Sequence, residues 1–208
     1  RWDTAYCLHE VYGEFVPFRD MLTLCREAGN ADMVYEFAST SKITFPGAGV
    51  AVMAASEANL KYLSGLLGAQ TISYDKVNQL RHVRFLQDKA HVLELMQRHA
   101  AILRPKFEAV LAALRGIAPL NIASWTEPKG GYFISCDAMP GTAKRTLALC
   151  AGAGVTMTPA GATYPGGNDP ADSNIRIAPS FPPVEELEQA MQIFCLALRM
   201  AALEKLRI

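Results

Sequence analysis

The residue with the clearest chemical potential is Lys42, which lies in the polar run ASTSKIT at residues 38–44. The preceding segment, residues 33–37, is predicted to form a strand, so the lysine falls in the turn that follows it. An amine held in a turn can condense with an aldehyde to form a Schiff base. The hydroxyl groups of Ser39 and Ser41 can hydrogen-bond to phosphate oxygens.

A second set of polar side chains stands near the beginning of the sequence. Asp3 and Tyr6 lie in the run WDTAY, at the end of an earlier strand-like segment. A carboxylate can keep a pyridine nitrogen protonated, which lets the ring accept the electrons of a carbanion. An amine, a carboxylate, a phenol and small hydroxyl groups together suit pyridoxal phosphate (PLP). The sequence therefore predicts PLP as the cofactor.

The predicted strands and helix in this part of the chain indicate how Asp3 and Tyr6 could come close to the Lys42 turn. Apolar residues recur at helical spacing over residues 18–28, so the beginning of the chain has a strand, helix, strand pattern. This pattern is typical of a parallel sheet. In such sheets ligands bind beyond the carboxyl ends of the strands. We expect Asp3, Tyr6 and the Lys42 turn to lie at this edge.

The middle of the chain is predicted to be mainly helical. A buried strand is expected at residues 49–54 and a helix at residues 57–67, ended by Gly68. A long helical region should extend over residues 75–115, and Pro105 is expected to kink or break it. A helix of this length often links two domains.

The remainder of the chain predicts a small α/β domain. Strands are expected at residues 130–135, 155–158 and 174–178, and helices at residues 142–151 and from Pro183 onward. We therefore predict an α/β protein with two domains, made by residues 1–88 and by residues 89–208.

Composition excludes several classes of function. The net charge is zero and no basic stripe is present, which argues against nucleic acid or an anionic membrane surface as partner. No apolar run is long enough to span a membrane. The five cysteines contain no CxxC pair, and the four histidines lack metal-ligand spacing, so no metal site is expected. Scattered thiols of this kind are typical of a reduced, cytoplasmic protein.

Four motifs occur in the order found in fold-type I PLP-dependent aminotransferases: DTAY from Asp3, STSK ending at Lys42, GGYF from Gly130, and NIRIA around Arg176. The runs WDTAY and STSKIT resemble most closely the MocR-type aspartate aminotransferase subgroup. The resemblance spans essentially the whole chain, but only the second half of that family's length. It implies part of a three-layer αβα large domain followed by a small C-terminal domain, within a longer polypeptide.

The resemblance also implies how each residue would hold the cofactor. Lys42 would form the Schiff base and move the proton between substrate and cofactor. Asp3 would pair with the ring nitrogen, and Tyr6 would hydrogen-bond to the ring hydroxylate. Ser39 and Ser41 would bind the phosphate.

The implied activity is transfer of an amino group from an amino acid, aspartate first, to a 2-oxo acid such as 2-oxoglutarate, by a homodimer. Arg176 would bind the substrate α-carboxylate with two parallel hydrogen bonds, which lysine could not provide. One position departs from the family pattern. Many members carry a phosphate-binding arginine eight residues after the lysine, where this chain has Val50.

Other interpretations of the same motifs stay open. The same scaffold supports β-elimination, as in a C–S lyase, and transamination of other substrates. It also serves as a ligand-sensing PLP domain in transcription regulators. Arg176 could instead form a structural ion pair with Glu185 or Asp172.

Overall fold

A computed structural model describes residues 19–207, which divide into two compact units, residues 19–98 and residues 99–207. The predicted α/β class is confirmed, since both units combine helices with a sheet. The first predicted strand, with Asp3 and Tyr6 at its end, lies outside the described residues.

The first unit combines one two-stranded sheet with several helices. Its elements are α1 (Met21–Glu27), β1 (Tyr35–Ser39), β2 (Ala51–Ala55), α2 (Glu57–Gln70), α3 (Lys76–Leu86) and the beginning of α4 (Lys89–Arg115). Side chains cap three of these helices, because Asp20, Ser56 and Asp75 each accept a hydrogen bond from a backbone N–H in the first turn. The predicted cap at Ser56 is therefore confirmed.

Strands β1 and β2 pair antiparallel, with Tyr35 opposite Ala55 and Ser39 opposite Ala51. The connection between them contains no helix, whereas a parallel pair needs a crossover that is usually helical. The expected parallel pair would join β1 to a segment outside the described residues. Among residues 19–207 every strand pairing is antiparallel.

Two predicted helix boundaries were wrong. Helix α2 continues past Gly68 to Gln70, because one glycine costs only about 1 kcal/mol in a helix. The expected helical region over residues 75–115 is divided in two, since Gln87 has a positive φ of 50° and ends α3. A left-handed residue cannot continue a right-handed helix.

The second unit contains a three-stranded antiparallel sheet in the order β3-β4-β5. Its elements are the rest of α4, β3 (Ala123–Trp125), β4 (Ile134–Ala138), α5 (Ala143–Gly152), β5 (Asn174–Ile177) and α6 (Val184–Leu206). The predicted strand at residues 155–158 is not formed. The N–H of Val155 instead donates to the carbonyl of Cys150, which completes the end of α5.

Helix α4 runs through Pro105 without interruption, so the expected break does not occur. A proline inside a helix costs about 3 kcal/mol. The same helix buries five large apolar side chains, each worth about 1.5–3 kcal/mol. They are Leu103, Phe107, Val110, Leu111 and Leu114. Their burial outweighs the proline, so packing keeps the helix continuous.

The core of the second unit joins this face of α4 to the sheet and to α6. The sheet contributes Ile134, Cys136, Ile175 and Ile177, and α6 contributes Leu187, Met191, Phe194 and Leu198. None of the helices in residues 19–207 combines the length and apolar composition needed to cross a lipid bilayer.

The buried thiols of this core are expected to resist alkylation in the native protein. Burial raises the pKa of Cys136 to about 12 and that of Cys150 to about 11, and it also raises the pKa of Cys195. Since only the thiolate reacts, raising the pH from 7 to 9 should leave these three thiols almost unlabelled by iodoacetamide.

Mass spectrometry of labelled peptides checks this expectation. Of the four described cysteines, Cys25 is half-buried and should be modified first, whereas urea-denatured protein should be labelled at every cysteine. Rapid native labelling of Cys136 would contradict the packing described above.

Candidate functional site

Lys42 lies in a turn at residues 41–43, three residues after the end of β1. The carbonyl of Thr40 accepts hydrogen bonds from the N–H groups of Ile43 and Thr44, both at 2.9 Å. The predicted turn after a strand is therefore confirmed, although the strand begins and ends two residues later than expected. These bonds fix the backbone on both sides of the lysine.

The two serines predicted to bind phosphate lie together in this turn. The Ser39 hydroxyl donates to the Ser41 hydroxyl at 3.0 Å, and both residues are exposed. Because the Ser41 oxygen accepts this bond, its own proton can be donated to an anion. A Cβ on Gly49 would lie 3.1 Å from the Ser41 hydroxyl oxygen, so a glycine lets the two backbones approach closely.

Thr44 and Val50 contribute to the turn itself. The Thr44 hydroxyl lies 3.2 Å from the carbonyl of Thr40 and 2.8 Å from Nε2 of His82. Because its single proton has an acceptor in either the Thr40 carbonyl or His82, Thr44 is a poor candidate for phosphate binding. At the position of the family's arginine, the Val50 N–H donates to the Thr40 hydroxyl at 2.9 Å.

Sequence reasoning missed His82, which reaches this turn from α3. Its Nε2 lies 2.8 Å from the Thr44 hydroxyl and 3.2 Å from the Thr40 hydroxyl. The separation in sequence is 38 and 42 residues, so no local pattern predicts the contact. The fold brings this histidine to the lysine turn.

Arg176 lies on β5 in the second unit, opposite Ser135 of β4. Its guanidinium carbon lies 4.5 Å from the centroid of the Phe133 ring, a favourable cation–π distance. Its Nε is buried and has no hydrogen-bond partner among the described residues. Within residues 19–207 no salt bridge joins it to Glu185 or Asp172, so the structural alternative for Arg176 gains no support. The side chain is half-buried, and a guanidinium with one buried, unused donor is suited to an anionic ligand.

The strand that carries Arg176 is fixed by Asn174, whose role the sequence did not indicate. The buried Asn174 amide donates to the Ser135 hydroxyl at 2.9 Å and to the Asp137 carboxylate at 2.7 Å. Its oxygen accepts from the Thr163 hydroxyl at 2.6 Å. The side chain thereby ties β5 to β4 and to the loop before it.

The same loop is held by Asp169. Its carboxylate accepts hydrogen bonds from the N–H groups of Asn174 and Ser173, both at 2.8 Å, and of Ala171 at 2.9 Å. These backbone donors, that of Asn174 first, lower the pKa of Asp169. The carboxylate is therefore ionised at neutral pH and secures the beginning of β5.

The contacts described above do not test the predicted roles of Asp3 and Tyr6. Both residues lie outside residues 19–207, so their roles stay predictions. Within the described part of the chain, no group of three or more His, Cys, Asp or Glu side chains could hold a metal ion.

Comparison with known proteins identifies the family. The family model described as aspartate amino-transferase matches residues 1–208. An aspartate aminotransferase of Corynebacterium glutamicum is 46% identical over 204 residues, which cover 98% of this chain and 47% of that protein.

Solved structures agree with this assignment. The crystal structure of an aspartate transaminase from Corynebacterium glutamicum matches with a TM-score of 0.93 and 45% identity, over 98% of this chain and 48% of that chain. The α-aminoadipate aminotransferase of Thermus thermophilus, solved with N-(5′-phosphopyridoxyl)-L-leucine, matches with a TM-score of 0.76 over 96% of this chain and 49% of that chain. At 22% identity, this second likeness concerns the fold alone.

The chain spans about half the length of these relatives. The match is nevertheless continuous from the lysine turn to the arginine strand. The chain belongs to the aspartate aminotransferase family.

Proposed function

We propose that the protein is a PLP-dependent aminotransferase that moves the amino group of aspartate to 2-oxoglutarate. In this proposal Lys42 holds the cofactor and Arg176 binds the α-carboxylate of the substrate. The observation that carries the proposal is the Lys42 turn, a loop fixed by backbone hydrogen bonds in which Lys42 follows two serines whose hydroxyls are bonded to each other. Membership of the aminotransferase family supports it.

The residues of the turn fit the cofactor. When bound, PLP supplies an aldehyde that reacts with amines and a ring that accepts electrons. Lys42 offers the amine, and it also offers a base that can take a proton from the substrate α-carbon. Ser39 and Ser41 offer hydroxyl groups for a phosphate, and Gly49 leaves the space that a Cβ would fill. Asp3 and Tyr6 are proposed to contact the ring nitrogen and the ring hydroxylate.

The surroundings of Arg176 support a carboxylate ligand. Its Nε is buried without a partner among the described residues, and burying such a donor costs about 1–3 kcal/mol. A carboxylate that accepts from Nε and a terminal nitrogen would remove this cost. The Phe133 ring and the Asn174 network hold the guanidinium and its strand in place before a ligand arrives.

Aspartate is proposed as the amino donor because relatives with 45–46% identity are named for it. The MocR-type subgroup and the division into domains at residues 88 and 89 stay predictions. A homodimer is also proposed. Large apolar side chains are exposed on the first unit, among them Met33, Phe37, Val52 and Val77. Their exposure supports the proposal that this unit packs against further protein surface.

The test is an assay of the full-length protein purified with PLP. Mixing it with aspartate and 2-oxoglutarate should produce glutamate in amounts equal to the aspartate consumed, and no glutamate should form when 2-oxoglutarate is omitted. Release of ammonia without the 2-oxo acid acceptor would favour a lyase. Stoichiometric PLP without turnover of any amino acid would favour a ligand-sensing domain and would refute the proposed activity.

A further inference from the structure

His82 is the one buried residue among the described residues of the first unit, with 5% of its surface exposed. Buried side chains are usually apolar, and a buried polar group is normally retained with its hydrogen bonds satisfied. Hydrophobic packing therefore does not account for a histidine here. Its partners indicate what it does.

Both ring nitrogens of His82 are engaged. Nδ1 lies 2.9 Å from the carbonyl oxygen of Asn78, which can only accept, so Nδ1 carries a proton and donates it. Nε2 then faces the hydroxyls of Thr44 at 2.8 Å and Thr40 at 3.2 Å. A hydroxyl can donate or accept, so this contact persists whether or not Nε2 is protonated.

The two threonines stand on either side of Lys42. Thr40 is also the residue whose carbonyl accepts from the N–H of Thr44, and whose hydroxyl accepts from the N–H of Val50. His82 therefore binds the beginning and the end of the lysine turn through one ring nitrogen. Movement of either threonine would change the path of the backbone at Lys42.

Neighbouring contacts hold the same segment against α3. The Phe45 ring meets the His82 ring edge-on at 5.3 Å, and the guanidinium carbon of Arg81 lies 4.9 Å from the centroid of the Phe45 ring. The Asn78 amide donates to the carbonyl of Ala48 at 2.9 Å. Helix α3 thus contacts residues 40–48 at several points, and His82 makes the contacts to the two threonines on either side of Lys42.

We propose that His82 is a positioning residue for Lys42. By hydrogen-bonding to Thr40 and Thr44, His82 keeps the Lys42 amine oriented toward the group with which it reacts. The inference rests on the proposed function, because the aim of the amine matters only if Lys42 reacts. A misplacement of about 1 Å caused by a residue outside the chemistry can cost on the order of 100-fold in rate. His82 itself contacts neither cofactor nor substrate in this proposal.

The test compares His82→Asn with His91→Asn in the full-length holoenzyme. His91 lies in the same unit but is exposed and bonded to Asp88, so its replacement serves as the matched control. For His82→Asn we expect the single-turnover rate with aspartate to fall roughly 10- to 100-fold, with little change in KM. We also expect a shift in the pH midpoint of the absorbance of bound PLP. A loss of stability alone would lower PLP occupancy and leave both quantities of the loaded enzyme unchanged.

A second measurement does not depend on activity. Hydrogen exchange followed by mass spectrometry should show faster exchange in the peptide that contains residues 40–50 and unchanged exchange in peptides of residues 99–207. Thr44→Val removes the partner hydroxyl with almost no change in shape and should reproduce the effect. The double variant should be no slower than either single one, because both remove the same contact. His82→Gln, which can still reach Thr44, should recover part of the rate.

The outcomes separate the two proposals. If borohydride fixes PLP to a residue other than Lys42 in the unaltered protein, the proposed function fails and the positioning role fails with it. If PLP is on Lys42 and His82→Asn matches His91→Asn in rate, pH midpoint and exchange, the positioning role alone is wrong. If His82→Asn does not fold, Thr44→Val decides, and an unchanged rate in that variant overturns the inference.

Discussion

Replacing Lys42 by alanine is expected to abolish amino transfer while leaving the fold intact. The change removes the amine that would bind the cofactor covalently, together with the base that would move the proton. A positioned general base alone is typically worth about 10²–10⁴-fold in rate. Because the side chain is exposed, and the turn is held by the backbone of Thr40 and by His82, the melting temperature should change little.

The measurement pairs glutamate formation with peptide mapping. Borohydride reduction of the unaltered holoenzyme should leave a pyridoxyl group on Lys42. The control is Lys61→Ala, which removes an exposed lysine of α2 in the same unit and should retain full activity. A pyridoxyl group on Lys61, Lys76 or another lysine would overturn the site assignment.

Replacing Arg176 by alanine is expected to weaken the binding of every carboxylate substrate to a similar extent and to leave the amount of bound PLP unchanged. Removing one partner of a buried charge pair typically costs about 2–5 kcal/mol. Arg176→Lys should recover little, since an ammonium group cannot form two parallel hydrogen bonds with a carboxylate. Among the described residues, the ring of Phe133 is the partner that the guanidinium loses in the free protein, so the stability should fall by about 1 kcal/mol or less.

Thermal shift measurements separate a binding role from a structural one. A ligand that binds the folded protein raises its melting temperature, so aspartate at a concentration that saturates the unaltered holoenzyme should stabilise that protein and not the variant. Arg199→Ala, at an exposed position of α6, is the matched control and should behave as the unaltered protein. If Arg176→Ala instead bound aspartate normally but melted at a lower temperature, the arginine would be structural.

The features that the sequence predicts well depend on neighbouring residues. The cap at Ser56, the turn at Lys42 and the strand around Arg176 are confirmed because each follows from hydrogen bonding or side-chain periodicity within a few residues. The family also follows from local motifs, since each motif is a short run of residues.

The features that the sequence mispredicts depend on packing. Pro105 was expected to kink or break a helix, but the helix is not broken, because five of its apolar side chains are buried in the core and their packing outweighs the cost of the proline. Residues 155–158 have the composition of a strand, yet their first N–H completes α5. Local propensity is worth about 1 kcal/mol or less for most residues and about 3 kcal/mol for proline in a helix, so the burial of several side chains overrides it.

By itself, therefore, the sequence determined that a lysine follows a strand, that two serines shortly precede the lysine, and that an arginine lies in a later strand. It did not determine what holds the lysine. The contact between His82 and Thr44 joins residues 38 positions apart, and the register of β4 and β5 decides that Phe133 lies beside Arg176. Such contacts arise only when distant segments pack together, because a hydrogen bond or a ring contact depends on distance in space and not on separation along the chain.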